Sequence, residues 1–233
     1  IHRGALVEHL LPEFGDAAAG QRRIGHDRRI PVLGAGSEDV QRAAIFGCRG
    51  VGALDVVAIC LVDREHVGEF DPALLDVLQR VADGEIKRVM VFLPPRHSKS
   101  ESVSRLFTSY FLHRYPDRWV GLSSYAADLA NTLSRNARDN YRLAGHSIRS
   151  DAAGVQHWET GKGGGLWATG AGGPVTGRGG HLLVVDDPIK NAEEAASETI
   201  RAKLQDWWNS TWYTREEPWS DEDPNGAMIV VLT

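Results

Sequence analysis

Residues 181–188, His-Leu-Leu-Val-Val-Asp-Asp-Pro, place four consecutive apolar residues directly before two carboxylates. A run that is apolar at every position, rather than every second one, marks a strand buried on both faces of a parallel sheet. Carboxylates leave the core right after such a strand only at its C-terminal edge, the rim where open α/β sheets bind ligands. One short segment thus indicates both a fold class and the end of the sheet where chemistry is expected. There Asp186 is placed to hold Mg²⁺, directly or through water, and Asp187 to orient or activate an attacking water. The plainer alternative is a strand followed by an Asp-Pro turn.

A second segment gives the carboxylates a partner. Residues 87–101, Lys-Arg-Val-Met-Val-Phe-Leu-Pro-Pro-Arg-His-Ser-Lys-Ser-Glu, run from an apolar strand through a loop into Lys99-Ser100. A buried strand, a tight turn, then Lys and a hydroxyl at a helix start form a nucleotide phosphate cradle, which implies ATP and Mg²⁺. The usual glycine spacing of such loops falls on Leu93 and Ser98, and neither is glycine.

The remaining pattern fits an α/β chain. Asp71-Pro72 reads as a cap followed by proline at the first helical position, with Leu74, Leu75, Leu78 and Val81 at helical spacing up to Gly84. A strand is expected over 87–93, then a helix over 100–113 with Val103, Leu106, Phe107 and Tyr110 on one face. A strand over 119–123 and a helix over 126–143 follow, the latter with Leu129, Leu133 and Ala137 inward. The glycine-rich stretch 154–180 suggests short strands with tight turns. Residues 193–208 read as a helix and 227–232 as a last strand ending at Thr233. Alternating strands and helices imply a mostly parallel sheet flanked by helices. Residues 1–66 show little periodicity beyond a short strand from Asp55 to Val62 and stay poorly determined; the α/β domain is expected over 67–233.

Composition excludes several classes. No apolar run is long enough to span a bilayer, so no membrane partner is expected. Cys48 and Cys60, the only cysteines, are too few for a disulfide framework or a zinc site, and the histidines lack ligand spacing. The net charge of −5 argues against a generic nucleic-acid coat protein, yet it is unevenly spread. Residues 86–150 carry eleven Lys/Arg against four Asp/Glu, and residues 186–223 four against eleven. The basic stretch either offers groups to the phosphates of ATP or DNA or is a solvated helix face.

Several motifs in a fixed order resemble the ATPase domain of the large terminase subunits of tailed bacteriophages. They are Glu85-Ile86-Lys87-Arg88 leading into 94–101, Ser123-Ser124-Tyr125-Ala126-Ala127-Asp128-Leu129-Ala130, the loop Gly172–Gly179, and Leu182–Asn191. Met228–Thr233 looks like the family's motif coupling hydrolysis to movement. The match covers about residues 70–233. It implies a P-loop NTPase fold of the additional-strand type and an ATP-driven motor that packages double-stranded DNA into a procapsid in the host cytoplasm. It also implies a homo-oligomeric ring, a portal protein and a small terminase subunit as partners. The family's second domain, a nuclease of RNase H-like fold, is expected to be absent, and with it nuclease activity.

The resemblance implies roles for single residues. Pro95, Arg96, His97, Ser98, Lys99, Ser100 and Glu101 would form the phosphate loop, with Lys99 on the β- and γ-phosphates and Ser100 and Asp186 on Mg²⁺. Arg96 would reach the γ-phosphate of its own subunit or stay an exposed loop residue. Arg178, between two glycines, would act as an arginine finger in a neighbour's site, touch DNA, or solvate the loop. Asp187 stands where many related ATPases carry Glu, and Thr233 would sense the γ-phosphate or the attacking water. Tyr125, after the second strand, would line the site or, more in line with its type, pack as an aromatic, and Trp207, Trp208 and Trp212 are expected to be core or interface. Ser98 departs from the glycine that lets this loop approach phosphates, at a cost on the order of 1–3 kcal/mol of strain. Two other readings remain open: a truncated or decayed prophage copy that keeps the fold without the activity, and another P-loop DNA-dependent ATPase such as a helicase.

Overall fold

The structure, a computed structural model, describes residues 71–175 and 177–233 together with the backbone of two strands at 43–49 and 55–61. Nine strands among these residues form one mixed sheet: β1 (Ala43–Arg49), β2 (Asp55–Leu61), β3 (Arg88–Phe92), β4 (Trp119–Ser124), β5 (Ile148–Ala153), β6 (His157–Thr160), β7 (Gly165–Gly170), β8 (Leu182–Asp186) and β9 (Ala227–Leu232). Their order is β1-β2-β3-β9-β8-β4-β7-β6-β5. The six strands from β2 to β7 in that order run parallel, and β1, β6 and β5 add antiparallel edges. The sheet therefore extends into the region before residue 67, where only the second of these strands is legible in the sequence. The remainder of residues 1–66 lies outside the described residues.

Side chains of the central strands alternate between two cores, as a period of two requires. Val89, Val91, Leu182, Val184, Ile229 and Val231 face one side. That side is covered by α1 (Pro72–Ala82), by a π-helical segment (Glu101–Phe107) that continues into α2 (Thr108–Arg114), and by α3 (Ala127–Leu143). Met90, Leu183, Val185, Met228 and Val230 face the other side. There they meet Trp207, Trp208 and Trp212, which lie at and just beyond the end of α5 (Glu198–Trp207), itself preceded by α4 (Ala192–Ala196), and are buried in the core.

Local chemistry sets the helix limits. The Asp71 carboxylate accepts hydrogen bonds from the N–H groups of Ala73 and Leu74, at 2.8 and 3.1 Å, and starts α1. The expected helix over 193–208 breaks at Ser197, whose extended backbone ends α4 and whose hydroxyl caps α5 through the Ile200 N–H. Helix faces differ from expectation in two places. Leu75 is exposed while Val77 is buried, and Leu106 and Tyr110 are exposed while Val103, Phe107 and Phe111 are buried. The buried stripe steps by four residues, 103–107–111, which leaves 106 and 110 beside it.

The N-terminal ends of the parallel strands are closed by the segment after Tyr213–Arg215, a short 3₁₀ turn. Arg88 binds Glu216 through both carboxylate oxygens, at 2.9 and 2.7 Å, and Lys87 pairs with Asp223 at 2.8 Å. Lys87 and Arg118 lie against the Trp219 ring, 3.8 and 4.3 Å from its centre. Gly84, at φ +79°, leaves no room for a Cβ beside that ring: one would sit 2.8 Å from Trp219 Nε1.

Candidate functional site

The C-terminal ends of β3, β9 and β8, three neighbours in the sheet, carry the residues singled out by the sequence. Asp186 follows the parity of Leu182 and Val184, so its carboxylate enters the face covered by the π-helical segment. There Ser100 Oγ donates to Asp186 Oδ1 at 3.1 Å and Ser104 Oγ to Asp186 Oδ2 at 2.6 Å. Ser100 and Ser104 are four residues apart at the start of one helical segment and so share a face.

Asp187 turns the other way. Its φ of +44° lies in the left-handed region, which Asp tolerates better than most residues. Its N–H donates to Val231 O at 2.9 Å, and its carbonyl accepts the Tyr125 N–H at 3.2 Å. With the backbone pinned between β9 and the end of β4, the carboxylate meets Lys99 Nζ at 2.9 Å and the Thr233 hydroxyl at 2.8 and 2.9 Å.

The loop between β3 and the π-helical segment is strained at two non-glycine residues, Arg96 at φ +67° and Ser98 at φ +52°. Of the two positions where a phosphate loop carries glycine, Ser98 therefore does take a glycine-like backbone. Leu93 does not: it is buried and prolongs the strand through its N–H to Leu232 O, at 3.3 Å. His97 Nδ1 lies 3.0 Å from Pro95 O, and Ser98 O accepts the Ser102 N–H at 2.7 Å, which begins the helical turn. Glu101 pairs with Arg105 at 2.7 Å.

Asp186 is only 2% exposed, and burial pushes its pKa up. The two serine hydroxyls and the Lys99 charge oppose that shift, and the Asp187 charge adds to it. The donor set of one buried carboxylate and a serine hydroxyl, all oxygen, fits Mg²⁺. Lys99 meets Asp187, while the Asp186 oxygens meet only neutral hydroxyls. Beside them, the fully buried hydroxyls of Ser123 and Ser124 at the end of β4 have no hydrogen-bond partner among the described residues.

Lys99, Ser100, Asp186, Asp187 and Thr233 are thus brought together. Arg96 is exposed on the loop beside them. Arg178 is not part of this group. It is exposed and lies four residues before Leu182, towards the opposite end of the strands, near His157, whose pKa is lowered by burial and then further by the Arg178 charge. Tyr125 is exposed rather than packed, because it leaves β4 at the sheet rim. Ser104 escaped the sequence reading; its only signal is its spacing of four from Ser100. No group of three or more His, Cys, Asp or Glu gathers as a metal cluster among the described residues, and no helix among them is long and apolar enough to cross a membrane.

No family model matches this chain, and no curated protein does. Among solved structures, the crystal structure of the HK97 bacteriophage large terminase is similar at 14% identity with a TM-score of 0.43. The match covers 71% of this chain and 33% of that one, so the chain spans about a third of that protein's length.

Proposed function

We propose that this chain is the ATP-hydrolysing unit of a DNA-packaging motor of the phage terminase type. The observation that supports this most is the convergence of Lys99, Ser100, Asp186, Asp187 and Thr233 on one rim, held by mutual hydrogen bonds and an ion pair. A phosphate-handling site gives a use to a near-buried lysine, a helix-start hydroxyl and two adjacent carboxylates at the ends of parallel strands.

In this proposal Lys99 exchanges Asp187 for the β- and γ-phosphate oxygens when ATP binds. N–H groups at the helix start that lack an intrahelical partner would bind the same anion. Released from Lys99, Asp187 keeps Thr233 as its partner and is free to take the proton of the attacking water. Ser100 and Asp186 would hold Mg²⁺, which would supply charge neutralisation to the phosphates. Thr233 directly follows β9 and touches Asp187, so it ties the state of the site to the centre of the sheet. Arg178, remote from its own subunit's site, serves as an arginine finger in a neighbour's site within a homo-oligomeric ring. Double-stranded DNA, a portal protein and a small terminase subunit are the proposed partners, and the host cytoplasm the proposed location, with transient docking on a procapsid.

ATP turnover with and without duplex DNA tests this reading, alongside Lys99→Ala. Turnover that disappears in the variant is expected, and equal turnover in both proteins would overturn it. Mixing Lys99→Ala with Arg178→Ala subunits should restore part of the hydrolysis if Arg178 acts between subunits. Ser98 favours a second reading, a decayed copy with the fold but not the activity, because its φ of +52° is costly for a non-glycine residue. A chain inactive as it stands and restored by Ser98→Gly would establish that reading.

A further inference from the structure

We propose that Ser104 determines which divalent cation the site accepts, by keeping one oxygen of Asp186 away from the metal. This rests on the nucleotide-site reading above and adds a residue that the reading does not use. Ser104 is fully buried, and its hydroxyl donates to Asp186 Oδ2 at 2.6 Å. The Asp186 oxygen left on the Ser100 side is Oδ1, 3.1 Å from Ser100 Oγ. A cation joining Ser100 to Asp186 therefore meets one carboxylate oxygen, not two.

That arrangement discriminates between ions. Mg²⁺ is small, prefers an octahedron of single oxygens at short distance and keeps several waters, so one carboxylate oxygen suits it. Ca²⁺ is larger, takes six to eight oxygens and readily accepts both oxygens of one carboxylate. With Oδ2 bound to Ser104, two-oxygen binding would cost a buried hydrogen bond to a charged group. Removing the hydroxyl lifts that cost and leaves Oδ2 in need of a partner.

Equilibrium binding of a fluorescent ADP analogue, titrated separately in Mg²⁺ and in Ca²⁺, reads this without turnover. The wild-type chain is expected to bind the nucleotide at least about tenfold more tightly in Mg²⁺ than in Ca²⁺. In Ser104→Ala that ratio should shrink about tenfold, mostly through tighter binding in Ca²⁺. Ser104→Cys keeps the shape with a much weaker donor and should shift the ratio the same way, which preserves the test if the alanine variant folds poorly. A metal ratio unchanged from wild type in both variants overturns the role of Ser104 while leaving the nucleotide site standing. A wild-type chain that binds no nucleotide in either metal overturns the nucleotide site itself.

Discussion

Both ends of the parallel strands bury charge, but they satisfy it differently. At the N-terminal end, each cation of β3 and its approach meets a carboxylate or an aromatic face of the same chain. Arg88 lies on Glu216, and Lys87 on Asp223 and Trp219. At the C-terminal end, the buried Asp186 has only two serine hydroxyls, and Arg96, Ser98 and Asp187 hold left-handed backbones without being glycine. One end is completed by its own side chains. The other keeps strain and a buried carboxylate with no cation in direct contact among the described residues, a condition that suits a ligand site.

The largest effect that could break this contrast is a loss of folding at the closed end. Arg88→Ala strands Glu216 in a buried position, and breaking such a pair costs about 3–5 kcal/mol. Denaturant unfolding should show that loss, while the fraction still folded keeps its nucleotide affinity. Lys99→Ala should do the reverse. Hydrolysis is expected to fall by at least about 100-fold, as when a charge-stabilising group is removed from a transition state. Its unfolding midpoint should stay near wild type, because Asp187 retains Thr233 and is partly exposed. A variant at either end that moved both quantities equally would remove the distinction.

Glycine exchanges probe the same contrast more gently. Ser98→Gly is expected to add about 1 kcal/mol of stability by relieving a left-handed backbone. Gly84→Ala should cost about as much or more, since it creates a left-handed alanine and pushes a Cβ against Trp219. Thermal unfolding of the two variants should therefore shift in opposite directions.

How far each end is legible in the sequence follows from how local its interactions are. The runs at 182–185 and 227–232 announce buried parallel strands, and Lys99-Ser100 and Asp186-Asp187 are visible because each pair is contiguous. The expected helix limits at 71–84 and 126–143 also match closely, the first because its Asp71 cap is local. The closed end is opaque by comparison. Arg88 and Glu216 are 128 residues apart, and nothing near either one announces the other. Strand β5, Ile148–Ala153, is missed because this edge strand is polar and largely exposed, with no alternation to read. Ser104 is invisible for a related reason: one serine in a helix has no meaning until the sheet brings Asp186 beneath it.

The smallest effect is one of sign, and it separates the two ends by pH. His181, at the closed end, accepts the Trp119 N–H at Nδ1, at 3.1 Å. That nitrogen therefore carries no proton, and its approach to Glu217 at 3.3 Å is not an ion pair. Burial lowers the His181 pKa, the Arg118 charge lowers it further, and Asp117 partly opposes them. Unfolded histidine protonates near its ordinary value of about 6.5, so below that pH the unfolded chain binds more protons and stability falls. Asp186, at the site end, behaves oppositely: burial raises its pKa, so the folded chain takes the proton first and stability rises as pH falls towards the ordinary carboxylate range. Glu216 and Glu217 are also raised by burial, so the difference between variant and wild type is the quantity to measure. From pH 7.5 to 5.5, His181→Gln should lose less stability than wild type, because glutamine accepts the same N–H without titrating. Towards lower pH, Asp186→Asn should gain less than wild type. Unfolding curves that shift identically with pH in all three proteins would show that neither buried group titrates differently on folding, and the electrostatic contrast between the ends would fail.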